Sequence, residues 1–363
     1  MTQLTKPLAI DFFCGAGGLS LGLHQAGFNV VGGFDIDPIH IDTYSKNFPK
    51  TRTIQSDLLS LKGSRVRCLL GLSPLTEIDL VCGGPPCQGF SLIGKRQTDD
   101  PRNELLIEFA RLITELRPRY FIVENVAGLM LGKPRSVLAR ALQVLRPAGY
   151  RVVTPIRTMN AKDCGVPQNR ERVVILGYRT DQLPPCYPGK SRRRVIVRHA
   201  LQDLYRIGRR KVRLNNDLFG GQIAETSTYS RRLRTGRARK LILTGCQRCT
   251  HDKHVVKRFH AVAPGASDPI SRFYRLHPDL LAPTLRAGTG KDRGSFTAAR
   301  PIHPTQDRCI TVREAARLHS FPDWFQFHGT QWHGFRQVGN SVPPFMAAAI
   351  ARQIMRVIRD AEE

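Results

Sequence analysis

Through the first 180 residues, short apolar runs alternate with longer stretches in which apolar residues recur every three or four positions. Six runs predict strands: 8–13, 30–35, 78–83, 120–125, 150–158 and 172–179. Helices over 18–26, 38–47, 103–117 and 135–146 are predicted between them. In the third of these, Leu105, Leu106, Phe109, Leu112, Ile113 and Leu116 keep the 3.6-residue period of one helical face. The strands are close to continuously apolar, as expected where both faces of a sheet are covered. Strand and helix in alternation predict an α/β fold, a doubly wound and mostly parallel sheet.

After residue 182 the rhythm stops. The stretch "LPPCYPGKSRRR" (183–194) is proline-rich and basic and marks a domain boundary. From there to about residue 310 the chain is weakly periodic and rich in Gly, Ser and Thr, which predicts a smaller, loop-rich domain. Order returns at "ITVREAARLHSF" (310–321), where Thr311 and Glu314 have capping-box spacing. In the last helix Met346, Ile350, Ile354 and Ile358 recur every four residues and need an apolar surface, which the N-terminal domain is expected to provide. The predicted partition is 1–185 plus 336–363 for one domain and 186–335, with a hinge, for the other.

No run of ~18 apolar residues is present, so no membrane helix is predicted. Nine cysteines without a secretion signal argue against a disulfide framework and for the cytoplasm. Charge changes the picture more. Lys and Arg number 56 against 29 Asp and Glu, a net +27, which points to a polyanion such as nucleic acid. Residues 190–258 hold 20 basic and 4 acidic side chains, a net +16. More than half the excess therefore lies in under a fifth of the chain, as a binding surface would require.

Two constellations carry candidate chemistry. In "IDFFCGAGGLSLG" (10–22) a strand runs into a glycine turn and a helix, and Asp35 ends the next strand about twenty residues after Gly15. That layout suits a nucleoside whose ribose hydroxyls meet the carboxylate. The dinucleotide fingerprint is not met, because Ser20 stands at its third glycine. Asp57, in "QSDLLS", could accept from an adenine amino group or cap a helix. In the second constellation, "GGPPCQGFSL" (83–92) and "FIVENV" (121–126) place Cys87 and Glu124 where strands end, the edge at which open α/β sheets bind ligands. A thiolate there could attack, and a neighbouring carboxyl could move a proton. Packing is the usual role of a free cysteine and is expected for Cys14 and Cys82. A Pro-Pro-Cys-Gln-Gly turn is a poor core packer, so Cys87 stands apart. Cys246, Cys249, His251 and His254 fall within nine residues, tighter than the separated pairs of zinc sites, and no metal is expected.

Six segments then occur in order: "DFFCGAGGLSLG", "GGPPCQGFS", "ENV", "QNRERVVILG" (168–177), "REAARLHSFPD" (313–323) and "GNSVPP" (339–344). Together they resemble the motifs of the DNA (cytosine-5) methyltransferase family in its bacterial restriction–modification form. The match spans 8–180 and 311–350, and the stretch between stands where that family has its variable target recognition domain. The resemblance implies methyl transfer from S-adenosylmethionine to C5 of a flipped-out cytosine in duplex DNA. By motif, Cys87 would add to C6, Glu124 would meet N3 and the exocyclic amine, and Arg170 and Arg172 would lie near the target base. For the cofactor, Phe13 would stack on adenine beside the Gly15–Gly17 turn, Asp35 would hold the ribose, and Asp57 with Leu58 would meet the adenine edge. Ile36, Pro86, Leu105, Asn340, Ser341 and Val342 would complete the pocket; Ile36 departs from the aromatic that many relatives carry. Gln88, Ser91, Gln168 and Thr284 would face DNA, and 88–103 would close over the base. The implied enzyme is a monomer acting on double-stranded DNA, with a cognate endonuclease as a genetic partner only. An RNA methylase is disfavoured by a recognition segment of ~120 residues, which suits duplex readout. Intact Cys87 and Glu124 speak against an inactive DNA-binding paralogue.

Overall fold

The computed structural model describes residues 6–86, 104–132, 134–209, 219–220, 227–235, 242–288 and 300–361. Five strands run parallel in the order β3-β2-β1-β4-β5: β1 (Leu8–Phe12), β2 (Asn29–Asp35), β3 (Arg52–Gln55), β4 (Leu80–Gly83) and β5 (Tyr120–Val126). Three more come after them in the chain, β6 (Tyr150–Val152), β7 (Arg157–Asn160) and β8 (Glu171–Arg179). β8 lies antiparallel beside β5, and β6 and β7 pair antiparallel with its other edge. Helices α1 (Gly18–Ala26), α2 (Pro38–Asn47), α3 (Gly63–Leu70), α4 (Leu105–Leu116) and α5 (Pro134–Leu145) connect the strands.

Alternation along the strands sends Ile10, Phe12, Phe34, Val81, Phe121, Val123, Val173 and Ile175 into one core with Val66, Leu106, Phe109, Leu112 and Leu138 of the helices. The intervening residues Ala9, Leu80, Cys82, Ile122, Val174 and Leu176 are buried as well. Both faces are thus covered, which is why the strands read as continuous apolar runs. β3 and α3 were not foreseen: β3 is four residues long, and α3 buries only Gly63, Val66 and Leu70. The predicted strand 150–158 is two strands, because Pro155 lies between them and has no N–H for the ladder.

The chain divides into two compact units, Met1–Asn160 with Glu171–Lys190 and Met346–Glu363, and Ala161–Arg170 with Ser191–Phe345. The second is built of short elements: α6 (Val197–Leu201), β9 (Phe219–Gly220) paired with β10 (Ile242–Leu243), α7 (Thr228–Arg234), α8 (Lys253–His260), α9 (Val312–Leu318) and α10 (Gln331–Asn340). These boundaries differ from 1–185 plus 336–363 and 186–335. Residues 161–170 join the second unit because Asn169 N–H donates to the Ala282 carbonyl and Arg170 grips carbonyls of Leu285, Gly339 and Ser341.

Buried ion pairs hold this loop-rich unit together. Arg317, 0% exposed, donates to both oxygens of Asp203 (2.8 and 2.9 Å) and of Asp323 (2.7 and 2.6 Å), and Arg234 joins both aspartates. Arg308 forks onto Glu314 at 2.9 and 2.8 Å. Thr311 and Glu314 form the predicted capping box of α9. Burial works against the Glu314 carboxylate, but Arg308, His303 and the Thr311 N–H outweigh it and bring the carboxyl down to about 2.

The final helix, α11 (Pro344–Asp360), buries Met346, Ile350, Ile354 and Ile358, as the spacing predicts. It packs on α1 at Gly22, where a Cβ would come within 2.3 Å of Ala347 Cβ. Only glycine permits that approach.

Candidate active site

β1 ends in a turn that needs unusual backbone. Phe13, Gly15 and Gly17 all have positive φ, and a Cβ on Gly17 would lie 2.2 Å from the Phe48 ring. The space beside Gly15 is open. Beneath the turn Asp11 is buried; its Oδ2 accepts from the Ser20 N–H (3.2 Å) and Oγ–H (2.5 Å), which pins the start of α1. Its Oδ1 accepts no well-aligned hydrogen bond, although the Cys82 thiol is close enough to favour the charged form. Burial dominates and pushes the carboxyl up to about 7.

Asp35 ends β2 under the same turn. Its Oδ2 accepts from Gly15 N–H (2.9 Å), and its Oδ1 accepts from Asp37 N–H (2.9 Å) and faces His40 Nδ1 at 3.4 Å. Burial opposes its charge, but His40 and the two N–H donors outweigh burial and hold the carboxyl below its ordinary value. An ionised carboxylate has about four lone-pair directions, so acceptor capacity remains for hydroxyl groups. Next to it Ile36 is 62% exposed, an unusual position for isoleucine. Phe13 stands edge-on to Phe109 at 5.9 Å. Asp57 caps a short 3₁₀ turn by accepting from Leu59 N–H (3.0 Å), Leu58 is buried, and Leu105 opens α4 half-buried. The cap foreseen for Asp57 is therefore present.

Glu124 and Arg172 come together as the strand register requires. Glu124 pairs with Val174 across the β5–β8 ladder, so Arg172, two residues from Val174, sits diagonally on the same face. Arg172 Nε lies 3.0 Å from Glu124 Oε1, yet no N–H points squarely at that oxygen. The other oxygen faces Gly84, where a Cβ would stand 3.2 Å from Oε2. Pro85 is buried and Pro86 half-buried. Asn125 was missed, although the "ENV" motif contains it: its Nδ2 donates to the Pro85 carbonyl at 3.2 Å and its Oδ1 accepts from Val126 N–H at 2.8 Å. Cys87, Gln88, Ser91 and the predicted closing stretch lie outside the described residues.

In the second unit Gln168, expected at the DNA, and Arg170, expected near the target base, are both buried. Gln168 is 0% exposed; its Nε2 donates to the Leu318 carbonyl (3.2 Å) and His319 Nδ1 (3.0 Å), and its Oε1 accepts from Leu285 N–H (3.1 Å). Its amide is thus committed to the interior. Arg170 is 1% exposed and donates to the carbonyls of Leu285 (3.1 Å), Gly339 (2.8 Å) and Ser341 (3.0 Å). It braces backbone at three points. His319 Nε2 also donates to Ser341 O, at 2.8 Å. Asn340 is exposed, Ser341 and Val342 are buried, and Thr284 donates to the Asn169 carbonyl at 2.7 Å.

Charge in this unit has two fates. Arg170, Arg275, Arg308, Arg313 and Arg317 are buried, whereas Arg192, Arg193, Arg194, Arg231, Arg232, Lys253 and Lys257 are exposed. Of the four residues weighed as zinc ligands, Cys249 Sγ meets Gln331 and Arg300, His251 Nε2 accepts from Cys309 N–H, and Cys246 is buried. Among the described residues no three His, Cys, Asp or Glu gather around a common point, and no helix is long and apolar enough to cross a membrane.

The sheet, the glycine turn and the acid after it define a class, the α/β fold of S-adenosylmethionine-dependent methyltransferases. Known proteins narrow it. The family model for C-5 cytosine-specific DNA methylases matches residues 8–356. The type II methyltransferase M.XorII of Xanthomonas oryzae pv. oryzae is 46% identical over 371 residues, covering 99% of this chain and 87% of that protein. M1.HphI of Haemophilus parahaemolyticus is 34% identical, over 96% of this chain and 86% of its own. A crystal structure of a DNA modification methyltransferase encoded within an E. coli prophage superposes with a TM-score of 0.81 at 32% identity, covering 98% of this chain and all of that one. The chain belongs to the C-5 cytosine-specific DNA methylase family and is a DNA cytosine methyltransferase of restriction–modification type.

Proposed function

We propose that this enzyme takes its methyl group from S-adenosylmethionine and delivers it to a cytosine flipped out of duplex DNA, through a covalent Cys87 adduct. What carries the reading is the ion-paired Glu124 at the carboxyl end of β5, one residue in register from the Pro85–Pro86 stalk that leads to Cys87. Asp35, with acceptor capacity to spare, would take the ribose hydroxyls, the open side of Gly15 would admit the ligand, and exposed Ile36 would cover one face of the adenine. Phe13, Gly17, Asp57, Leu58, Pro86 and Leu105 are assigned to the same ligand, and Asn340, Ser341 and Val342 keep the cofactor role that their motif implies. When bound, the sulfonium supplies an electrophilic methyl group.

The protein's part is to make C5 of cytosine nucleophilic. Cys87 thiolate adds to C6, which moves electron density toward C5 and N3, while Glu124 in its acid form donates its O–H proton to N3 and favours the addition. Arg172, beside Glu124, fixes the carboxyl and lends positive potential to the thiolate. After C5 has taken the methyl group, the C5 proton passes to water, the C5–C6 double bond re-forms as the C6–S bond breaks, N3 returns its proton to Glu124, and the thiolate is free again. The base must leave the stack for a thiol to reach its face. The exposed basic residues of the second unit would grip phosphates, as would be expected of a recognition domain, and Thr284 would lie against the DNA backbone. A cytoplasmic, DNA-associated enzyme is the consequence.

Bisulfite sequencing of host DNA after expression of the wild type and of Cys87→Ser tests this. Protected cytosines in one sequence context are expected with the wild type alone. Protection retained in the variant would sink the nucleophile assignment.

A further inference from the structure

In the parallel β4–β5 ladder Leu80 pairs with Tyr120 and Gly83 with Val123. Continuing that register sets Gly84 against Glu124 and Pro85 against Asn125. The backbone ladder cannot continue there, because Pro85 and Pro86 have no N–H to donate. A side chain takes over: Asn125 Nδ2 donates to the Pro85 carbonyl at 3.2 Å, while its own Oδ1 is held by Val126 N–H at 2.8 Å. Both ends of the amide are thereby oriented, and Asn125 is only 4% exposed. One position earlier, the missing side chain of Gly84 lets Glu124 Oε2 approach the chain closely.

We propose that Asn125 is a positioning residue for methyl transfer, its amide replacing the absent backbone rung so that the stalk leading to Cys87 stays in register with Glu124. The proposal rests on the reading of Cys87 as the nucleophile. Attack on a ring carbon needs the sulfur aligned with the face of the base, and the acid must meet N3 of the same ring. Displacing a reacting group by about 1 Å can lower a rate on the order of 100-fold. Asn125 acts through the stalk and not on DNA or cofactor, so its effect must appear in the chemical step.

The test uses full-length wild type, Asn125→Ala, Asn125→Asp and Cys87→Ser, assayed with duplex DNA and with 5-fluorocytosine duplex that traps the adduct. Asn125→Ala should lower kcat roughly 10- to 100-fold and slow trapping in parallel, with KM for DNA and cofactor within about threefold. In Asn125→Asp an ionised carboxylate would repel the Pro85 carbonyl, whereas the protonated acid can donate to it. Its activity relative to wild type should therefore recover as pH falls through the pKa of the new carboxyl. A kcat within about twofold of wild type for Asn125→Ala, a loss confined to KM or thermal stability, or a pH-independent Asp-to-wild-type ratio would each overturn the proposal. Methylation by Cys87→Ser would overturn the nucleophile reading beneath it, an outcome separable from the others because it does not depend on Asn125.

Discussion

Replacing Asp11 by asparagine removes a titratable group from beneath the glycine turn while keeping its shape. Asparagine can still accept from Ser20 N–H and Oγ–H through its oxygen, and its NH₂ would occupy the place of the poorly partnered Oδ1. In the folded protein burial pushes the Asp11 carboxyl up to about 7 from an ordinary value of 3.8. Between those two pH values the folded chain holds a proton that the unfolded chain has released. Stability must therefore fall as pH rises through this window, and level off above the folded value. Linkage gives a loss of about 2–3 kcal/mol from this one group between roughly pH 5 and 7.5. Urea unfolding of wild type and Asp11→Asn at several pH values isolates it, because the groups coupled to Asp11 titrate outside the window, Asp35 below it and Cys14, Tyr44 and Cys82 above it. The variant should gain on wild type by about that amount as pH rises across the window. Parallel stability curves would refute the reasoning, and would mean that Asp11 is ionised in the fold and satisfied by partners other than Ser20.

Two further outcomes are expected from the buried arginines. Arg170→Lys replaces a fork by a single ammonium that cannot serve Leu285, Gly339 and Ser341 together; cofactor affinity measured calorimetrically should fall about tenfold with kcat at saturation little changed, whereas a catalytic arginine would reverse that split. Arg317→Leu leaves Asp203 and Asp323 buried with Arg234 between them; chemical unfolding should show a loss of about 3–5 kcal/mol, part of it recovered when both aspartates become asparagine, and a loss below ~1 kcal/mol would refute it.

The first unit was largely legible in its sequence because each long element announces itself locally. A period of 3.6 marks α4, and continuous apolar runs mark β4 and β5; in the second unit Thr311 with Glu314 marks the start of α9. β3 escaped because four residues with one large apolar side chain carry no period, and α3 because eight residues give only two turns. The roles of Gln168 and Arg170 were not legible for a different reason. A basic or amide side chain near a motif can face DNA or a ring of carbonyl oxygens, and nothing in its neighbours along the chain distinguishes the two. The carbonyls that decided it belong to residues 285, 318, 339 and 341, more than a hundred positions away. Asn125 escaped because its partner is a backbone atom, which leaves no trace in residue types.

Ten residues, 161–170, leave the first unit to join the second and then return. Gln168 and Arg170 within them hold on chiefly to backbone atoms of Leu285, Leu318, Gly339 and Ser341, not to particular side chains. A plug that grips main chain is indifferent to the residues of its socket so long as the path of the chain is kept. Segments of very different composition between 191 and 345 could then be exchanged without altering the plug. Side chains elsewhere in this unit could then diverge while the carbonyls of residues 285, 318, 339 and 341 keep the plug seated.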